Sequence, residues 1–181
     1  MLVQHLSTHR DAILSSWLDS IVRTYPPDNS GFIRRETDPF LNPVGSTLQR
    51  TTADIYDQIC GEADSAALRR SLDEIIRIRA VQDFSPSAAV AFVYSLKRVV
   101  EEHLATELKQ PAVMAEWLEF GQRIDGLALM AFDLYVADRD KIHELRLREV
   151  RGQTAMLLAR MNRIYGPMEE TDELAERGAQ S

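Results

Sequence analysis

Residues 112–163 read AVMAEWLEFGQRIDGLALMAFDLYVADRDKIHELRLREVRGQTAMLLARMNR, a run with no proline and hardly any turn chemistry. Such a run predicts one helix, about 75 Å long if straight at ~1.5 Å per residue. Its two halves differ. In the first, Trp117, Phe120, Ile124, Leu127, Ala131, Leu134 and Tyr135 recur at threes and fours, the pattern of a helix with one buried face. In the second, His143, Leu147, Val150, Thr154, Leu157, Met161 and Ile164 alternate spacings of four and three, flanked by Arg146, Arg148, Glu149, Arg151 and Arg160. That is a short coiled-coil-like seam, imperfect at His143 and Thr154. Gly121, Gly126 and Gly152 each weaken the helix by about 1 kcal/mol relative to alanine.

Working back towards the N-terminus, the remaining apolar residues also fall at helical spacing. Thr8 and Asp11 resemble a capping box ahead of Ile13, Leu14, Trp17, Leu18, Ile21 and Val22, predicting a helix over 8–24 that Pro26-Pro27 stops. A connector with a short turn near Phe32 and Ile33 follows. Asn42-Pro43 reads as an N-cap with proline at the first helical position, opening a helix that ends at Gly61. Asp64 caps another, with Leu68, Leu72, Ile75, Ile76 and Val81 inward. Ser85-Pro86 repeats the cap-then-proline device for a helix through Val90, Val93, Tyr94, Leu96, Val100 and Leu104 to about Leu108, after which Pro111 restarts the chain. The fold class is therefore all-α. One domain is expected over 1–165, its long C-terminal helix covering about 112–165, with an acidic disordered tail over 166–181.

Composition narrows the function. A net charge of −7 opposes attraction to phosphate backbones, so no nucleic-acid partner is expected. Cys60 is the single cysteine, which excludes an intrachain disulfide and fits a reducing, cytoplasmic setting. No run of 18 apolar residues occurs, and Leu127–Val136 is interrupted by Asp133, so no membrane insertion is expected. The P-loop pattern is absent and Cys60 has no histidine within its helix, so no catalytic residue is assigned and the chain reads as a non-enzyme.

Three unusual stretches stand out: Asp38-Pro39-Phe40-Leu41-Asn42-Pro43-Val44-Gly45, then residues 75–86 from Ile75 to Pro86, whose mixture of arginines, an acid and a Ser-Pro cap is not explained by helix periodicity alone, then residues 123–135 from Arg123 to Tyr135. With the order of helices, they make residues 10–155 resemble the N-terminal domain of RsbRD-type proteins, the RsbT co-antagonist family related to stressosome sensors. The resemblance implies a globin-like helical bundle with a long C-terminal helix, free of haem, that dimerises and in its relatives leads into a STAS domain. No strand-rich output segment follows the helix here, so output is expected from an unidentified protein partner. The implied function is a non-catalytic sensor or scaffold module without cofactors, acting as a homodimer or by partner docking. The alternatives are a small-ligand or haem carrier and a passive assembly factor.

Five charged residues lie in the second and third of these stretches: Arg77, Arg79, Asp83, Asp125 and Asp133. An isolated buried charge is very costly, so these groups are expected to pair, Arg77 or Arg79 clamping an aspartate to fix helix register. A small anion bound by the arginines is the functional version. Among the histidines, His103 is the candidate haem ligand within a core helix, but lies at the edge of the apolar face. His5 and His9 are four apart but lack a third metal ligand, so no metal site is assigned. The interface residues expected along the seam are Leu147, Val150, Leu157, Met161 and Ile164.

Overall fold

The computed structural model describes residues 1–36, 38–61 and 64–166. Among them are seven α-helices and no strand: α1 Leu2–Thr8, α2 Arg10–Val22, α3 Pro27–Arg35, α4 Pro43–Cys60, α5 Ser65–Val81, α6 Pro86–His103 and α7 Pro111–Tyr165, with a 3-10 turn at Glu107–Lys109. The chain divides into two units between Asp140 and Lys141, inside α7.

Local chemistry sets most helix starts. The Asn42 side chain accepts from Gly45 N–H at 2.9 Å, Asp64 accepts from Ala66 and Ala67 N–H at 2.9 and 3.2 Å, and Ser85 Oγ accepts from Ala88 N–H at 3.3 Å. Each cap satisfies donors that have no intrahelical acceptor. The expected Thr8 cap does not form. Thr8 Oγ1 donates back to the Gln4 carbonyl at 2.9 Å, because a helix already runs from Leu2 and the chain bends at His9. Burial accounts for this extra helix: Leu2 and Leu6 are fully covered, and the Tyr56 hydroxyl donates to the Leu6 carbonyl at 3.0 Å. The connector after Pro26 is likewise helical, as α3. The helix opening at Pro86 stops at His103, short of the expected Leu108.

In the unit ending at Asp140, α4 packs on α5 and α2 on α6. Trp17 is central: fully buried, stacked 6.3 Å from Phe92 and donating Nε1–H to the Phe92 carbonyl at 2.8 Å. The first half of α7 buries Trp117, Phe120, Ile124, Leu127, Ala131, Leu134 and Tyr135, the predicted face. Val81, expected inward, is exposed at the last residue of α5. Beyond Asp140 the seam side chains stay exposed, so the segment makes no core. Of the tail expected over 166–181, residues 167–181 lie outside the described residues. Among the described residues no helix is long and apolar enough to cross a membrane.

Candidate functional site

Arg79 sits one turn from the C-terminus of α5, on the face that carries Leu72, Ile75 and Ile76, and is 0% exposed. Three rings enclose its guanidinium: the carbon lies 4.9 Å from the Phe84 centroid, 5.0 Å from Phe92 and 5.6 Å from Tyr25. Nη1 donates to the Ala88 carbonyl at 2.9 Å and Nη2 to Thr24 Oγ1 at 3.1 Å. Both partners are neutral. Cation–π attraction to three rings contributes roughly 1–2 kcal/mol for each desolvated pair, which offsets part of the cost of burying the charge. Burial draws Arg79 below the usual arginine value, and the Tyr25 oxygen acts against that.

Two polar atoms inside this box are unsatisfied: Arg79 Nε and the Tyr25 hydroxyl, on a residue only 4% exposed. Burial pushes the pKa of the hydroxyl up, and the Arg79 guanidinium beside it acts against that. Tyr25 also walls a recess of about 200 Å³ with Phe32, Ile33, Asn42, Pro43, Val44 and Gln82.

The Asn42 corner of the recess is rigid. Asn42 is 3% exposed, donating through Nδ2 to the Ile33 and Glu36 carbonyls at 2.9 and 2.8 Å while Oδ1 caps α4. Gly45 is required there, since a Cβ would lie 2.2 Å from Asn42 Nδ2.

On its other side the box is closed by the α5–α6 connection. Asp83 adopts φ 56°, the left-handed cap position, and Phe84 N–H returns to the Arg79 carbonyl at 3.2 Å, ending α5 in a Schellman-type turn. The Tyr135 hydroxyl donates to the Phe84 carbonyl, and Arg139 Nη1 donates to the Ala80 carbonyl at 3.1 Å and to Asp83 at 2.5 Å. Two α7 side chains thus pin the turn that presents Phe84 to Arg79.

The five charged residues singled out in the sequence do not converge. Arg77 pairs with Asp73 at 2.6 Å on the outer face of α5, Asp125 with Lys97 at 2.6 Å, and Asp83 with Arg139, while Asp133 is exposed. Helical phase explains the separation: Arg77 and Arg79 are two residues apart and so lie on opposite sides of α5. Arg79 alone is buried, and its partners are aromatic rings and neutral oxygens, not the aspartates the sequence suggested. Tyr25, Phe84 and Phe92 were not legible as its box, because they come from three separate segments. The available signal was that Arg79 shares the three-and-four phase of Ile75, Ile76 and Ala80.

The other candidates carry little chemistry. Burial pushes the Cys60 thiol up to about 12, leaving almost no thiolate at neutral pH. His103 Nε2 is engaged by Ser16 Oγ at 2.9 Å, and His9 Nδ1 by the His5 carbonyl at 3.0 Å. Among the described residues no three metal-ligating side chains gather.

Comparison with known proteins decides the relationship. The profile of the RsbT co-antagonist protein rsbRD N-terminal domain matches residues 11–150, most of the chain. The chain belongs to that family. RsbRD N-terminal domains form a regulatory, sensor-type family and not a known enzyme family. An uncharacterized protein of Archaeoglobus fulgidus is 28% identical over 151 residues, covering 82% of this chain and 89% of the relative. No solved structure matches the chain. The RsbRD N-terminal match spans the whole Arg79 box and ends at Val150, one heptad into the seam.

Proposed function

We propose that this RsbRD N-terminal domain is a non-catalytic sensor or scaffold module that works as a homodimer, paired through residues 143–164. The carrying observation is the seam: Leu147, Val150, Leu157, Met161 and Ile164 are 42, 59, 62, 49 and 60% exposed, although all are apolar and repeat at four-and-three spacing. Apolar residues in that spacing on one helix are covered by a second helix of like pattern, and a second copy supplies one with matching length and register. Flanking charges of both signs, Glu144, Arg148, Glu149 and Arg151 among them, suit the margins of such a pair. The cytoplasm is the setting that a single cysteine and the family's regulatory character support.

Sedimentation of the wild type and of a Leu157→Glu/Met161→Glu variant tests the pairing. A dimeric wild type and a monomeric variant of unchanged helicity are expected. A wild type that stays monomeric at high concentration refutes self-association, and the seam would then receive a helix from another protein.

The haem-carrier alternative gains nothing from His103, whose Nε2 is already engaged by Ser16.

A further inference from the structure

Phe40 is 95% exposed, with Leu41 beside it at 62% and Phe32 at 51%. Scattered apolar side chains on a surface are ordinary, but the Asn42 amide bonds to the Ile33 and Glu36 carbonyls and so brings the Phe40 loop and the end of α3 to one corner of the bundle. The loop is fixed on both sides of the ring. Asp38 accepts from Phe40 N–H at 2.9 Å, Asn42 N–H donates to the Asp38 carbonyl at 2.8 Å, and Asn42 itself is locked against Gly45. A phenyl ring held in water by a rigid loop has given up much of its freedom before any partner arrives. The recess described above opens at the same corner: Tyr25, Phe32, Ile33, Asn42, Pro43 and Val44 are among its walls, and it measures about 200 Å³. An apolar cavity of about 150 Å³ already holds a benzene ring. Asn42 is both a wall of the recess and the anchor of the loop, so the hydrogen bonds that fix it keep Phe40 outside the recess of its own chain.

We propose that this corner is a contact between copies of the chain, in which Phe40 of one copy fills the recess of a second copy and the exchange is reciprocal. A ring left outside and a ring-sized hole beside it make the surface complementary to itself, and a twofold contact supplies each with the other. The margin suits the same symmetry. Arg35 and Asp38, exposed and of opposite sign, both flank the loop, so a twofold axis sets the cation of each copy towards the carboxylate of the other. The contact goes beyond the seam pairing proposed above and does not rest on it. It is small, of the transient class that buries less than about 1,200 Å², so its dissociation constant is expected to be on the order of 0.1–1 mM. Two different twofold contacts on one chain carry assembly past the dimer, as a scaffold requires.

Sedimentation of the full-length Leu157→Glu/Met161→Glu variant between about 10 µM and 1 mM isolates this contact from the seam. A monomer at the low end that passes to a dimer near the high end, and grows no further, is expected. Adding Phe40→Ser should weaken that step at least tenfold, whereas Leu41→Ser, which removes an exposed apolar neighbour but not the ring, should change it less than twofold. The recess is read directly in the same samples: the Ile33 and Val44 methyl resonances should shift with concentration and stay fixed once Phe40 is serine. Phe40 is solvent-exposed, so its replacement leaves the fold intact and the comparison stands. Absence of any growth up to about 1 mM overturns the proposal, as does growth that survives Phe40→Ser. Equal losses from the two serine variants overturn it as well, since the contact would then be a general apolar one, and growth past the dimer would replace the reciprocal exchange with a head-to-tail chain. A wild type that behaves like the seam variant at every concentration would sink the seam pairing alone and leave this contact standing.

Discussion

Arg139 of α7 donates to Asp83 at 2.5 Å across 56 residues of chain, and the residue it meets holds the left-handed position that ends α5. The ion pair itself is worth little, because the two side chains are 35 and 61% exposed and solvent screens them. Its importance is positional. It fixes the turn from which Phe84 reaches the Arg79 guanidinium, so the last turns of α7 before Asp140 and the aromatic box share one short connection.

Asp83→Gly should therefore be close to neutral. Glycine removes the left-handed cost, about 1–2 kcal/mol for ordinary residues, and gives up the surface pair with Arg139. Asp83→Val, β-branched at a positive φ, should destabilise by about 1–2 kcal/mol or more. Urea denaturation midpoints compare the two; a valine variant as stable as the glycine one would show that the turn is not held in this conformation.

Gly45→Ala should cost about 1–3 kcal/mol, as the new methyl displaces the Asn42 amide from its three hydrogen bonds. An Asn42→Ala/Gly45→Ala double variant should lose little more than Asn42→Ala alone, because the clash disappears with the amide. Additive losses in this cycle would place the strain elsewhere.

Arg79→Ala empties a packed box and should destabilise by about 2–5 kcal/mol, as large-to-small core changes do. Arg79→Met fills much of the same space without burying a charge and should stay within about 1.5 kcal/mol of the wild type. The oxygens it releases keep other roles, since Thr24 Oγ1 also donates to the Ile21 carbonyl at 2.6 Å. Thermal melting ranks the three proteins; a methionine variant as unstable as the alanine one would mean that the cation itself holds the rings together.

The two halves of α7 should respond oppositely to charge. Ile124→Glu, at a fully buried position, should cost 3 kcal/mol or more, on the order of burying an unpaired carboxylate. Leu157→Glu/Met161→Glu should move the urea midpoint of a monomeric sample by less than the equivalent of about 0.5 kcal/mol per site. Complete unfolding of the second variant would assign the seam to the domain core.

Alkaline pH should destabilise the fold. Burial raises Cys60 to about 12 from an ordinary 9.0 and pushes Tyr25 and Tyr56 above 10.0. The folded chain then keeps protons that the unfolded chain has released. Stability from these groups is complete below about pH 9 and is lost as pH rises towards 12. Urea midpoints between pH 8 and 11, taken in steps of about one unit, should fall progressively. Disulfide-reagent labelling of native Cys60 at pH 8 should run roughly a thousandfold slower than that of the unfolded chain. Rapid native labelling would show the thiol to be open.

The parts of the fold that were legible in the sequence are those whose signals act over three or four residues. Asn42-Pro43, Asp64 and Ser85-Pro86 each announce a helix through a side chain that bonds a backbone N–H close by, and the unbroken run from Ala112 announces α7. Where stability comes from distant contacts, the reading failed. Leu2 and Leu6 are too few to suggest a helix until Tyr56 and the surrounding core cover them. The connector expected after Asp28, with a short turn near Phe32 and Ile33, instead carries α3. The same limit governed the site: Arg79 could be recognised as inward-facing from its phase, but its neighbours are supplied by Tyr25, Phe84 and Phe92, which only the tertiary fold brings together. Asp125 lies in an apolar stretch of sequence and still faces outward, because a helix that is mostly hydrophobic has a polar side all the same.

Both tryptophans of the chain, Trp17 and Trp117, are buried in the unit that ends at Asp140, at 0 and 6% exposure. Tryptophan fluorescence therefore reports on that unit alone, whereas far-ultraviolet dichroism sums every helical residue, those after Lys141 included. Recorded together on one melting sample, the two signals act as separate clocks. Coincident curves would mean that the seam helix and the bundle melt as one cooperative body, and dichroism lost ahead of fluorescence would mean that the helix unwinds while the aromatic box is still intact.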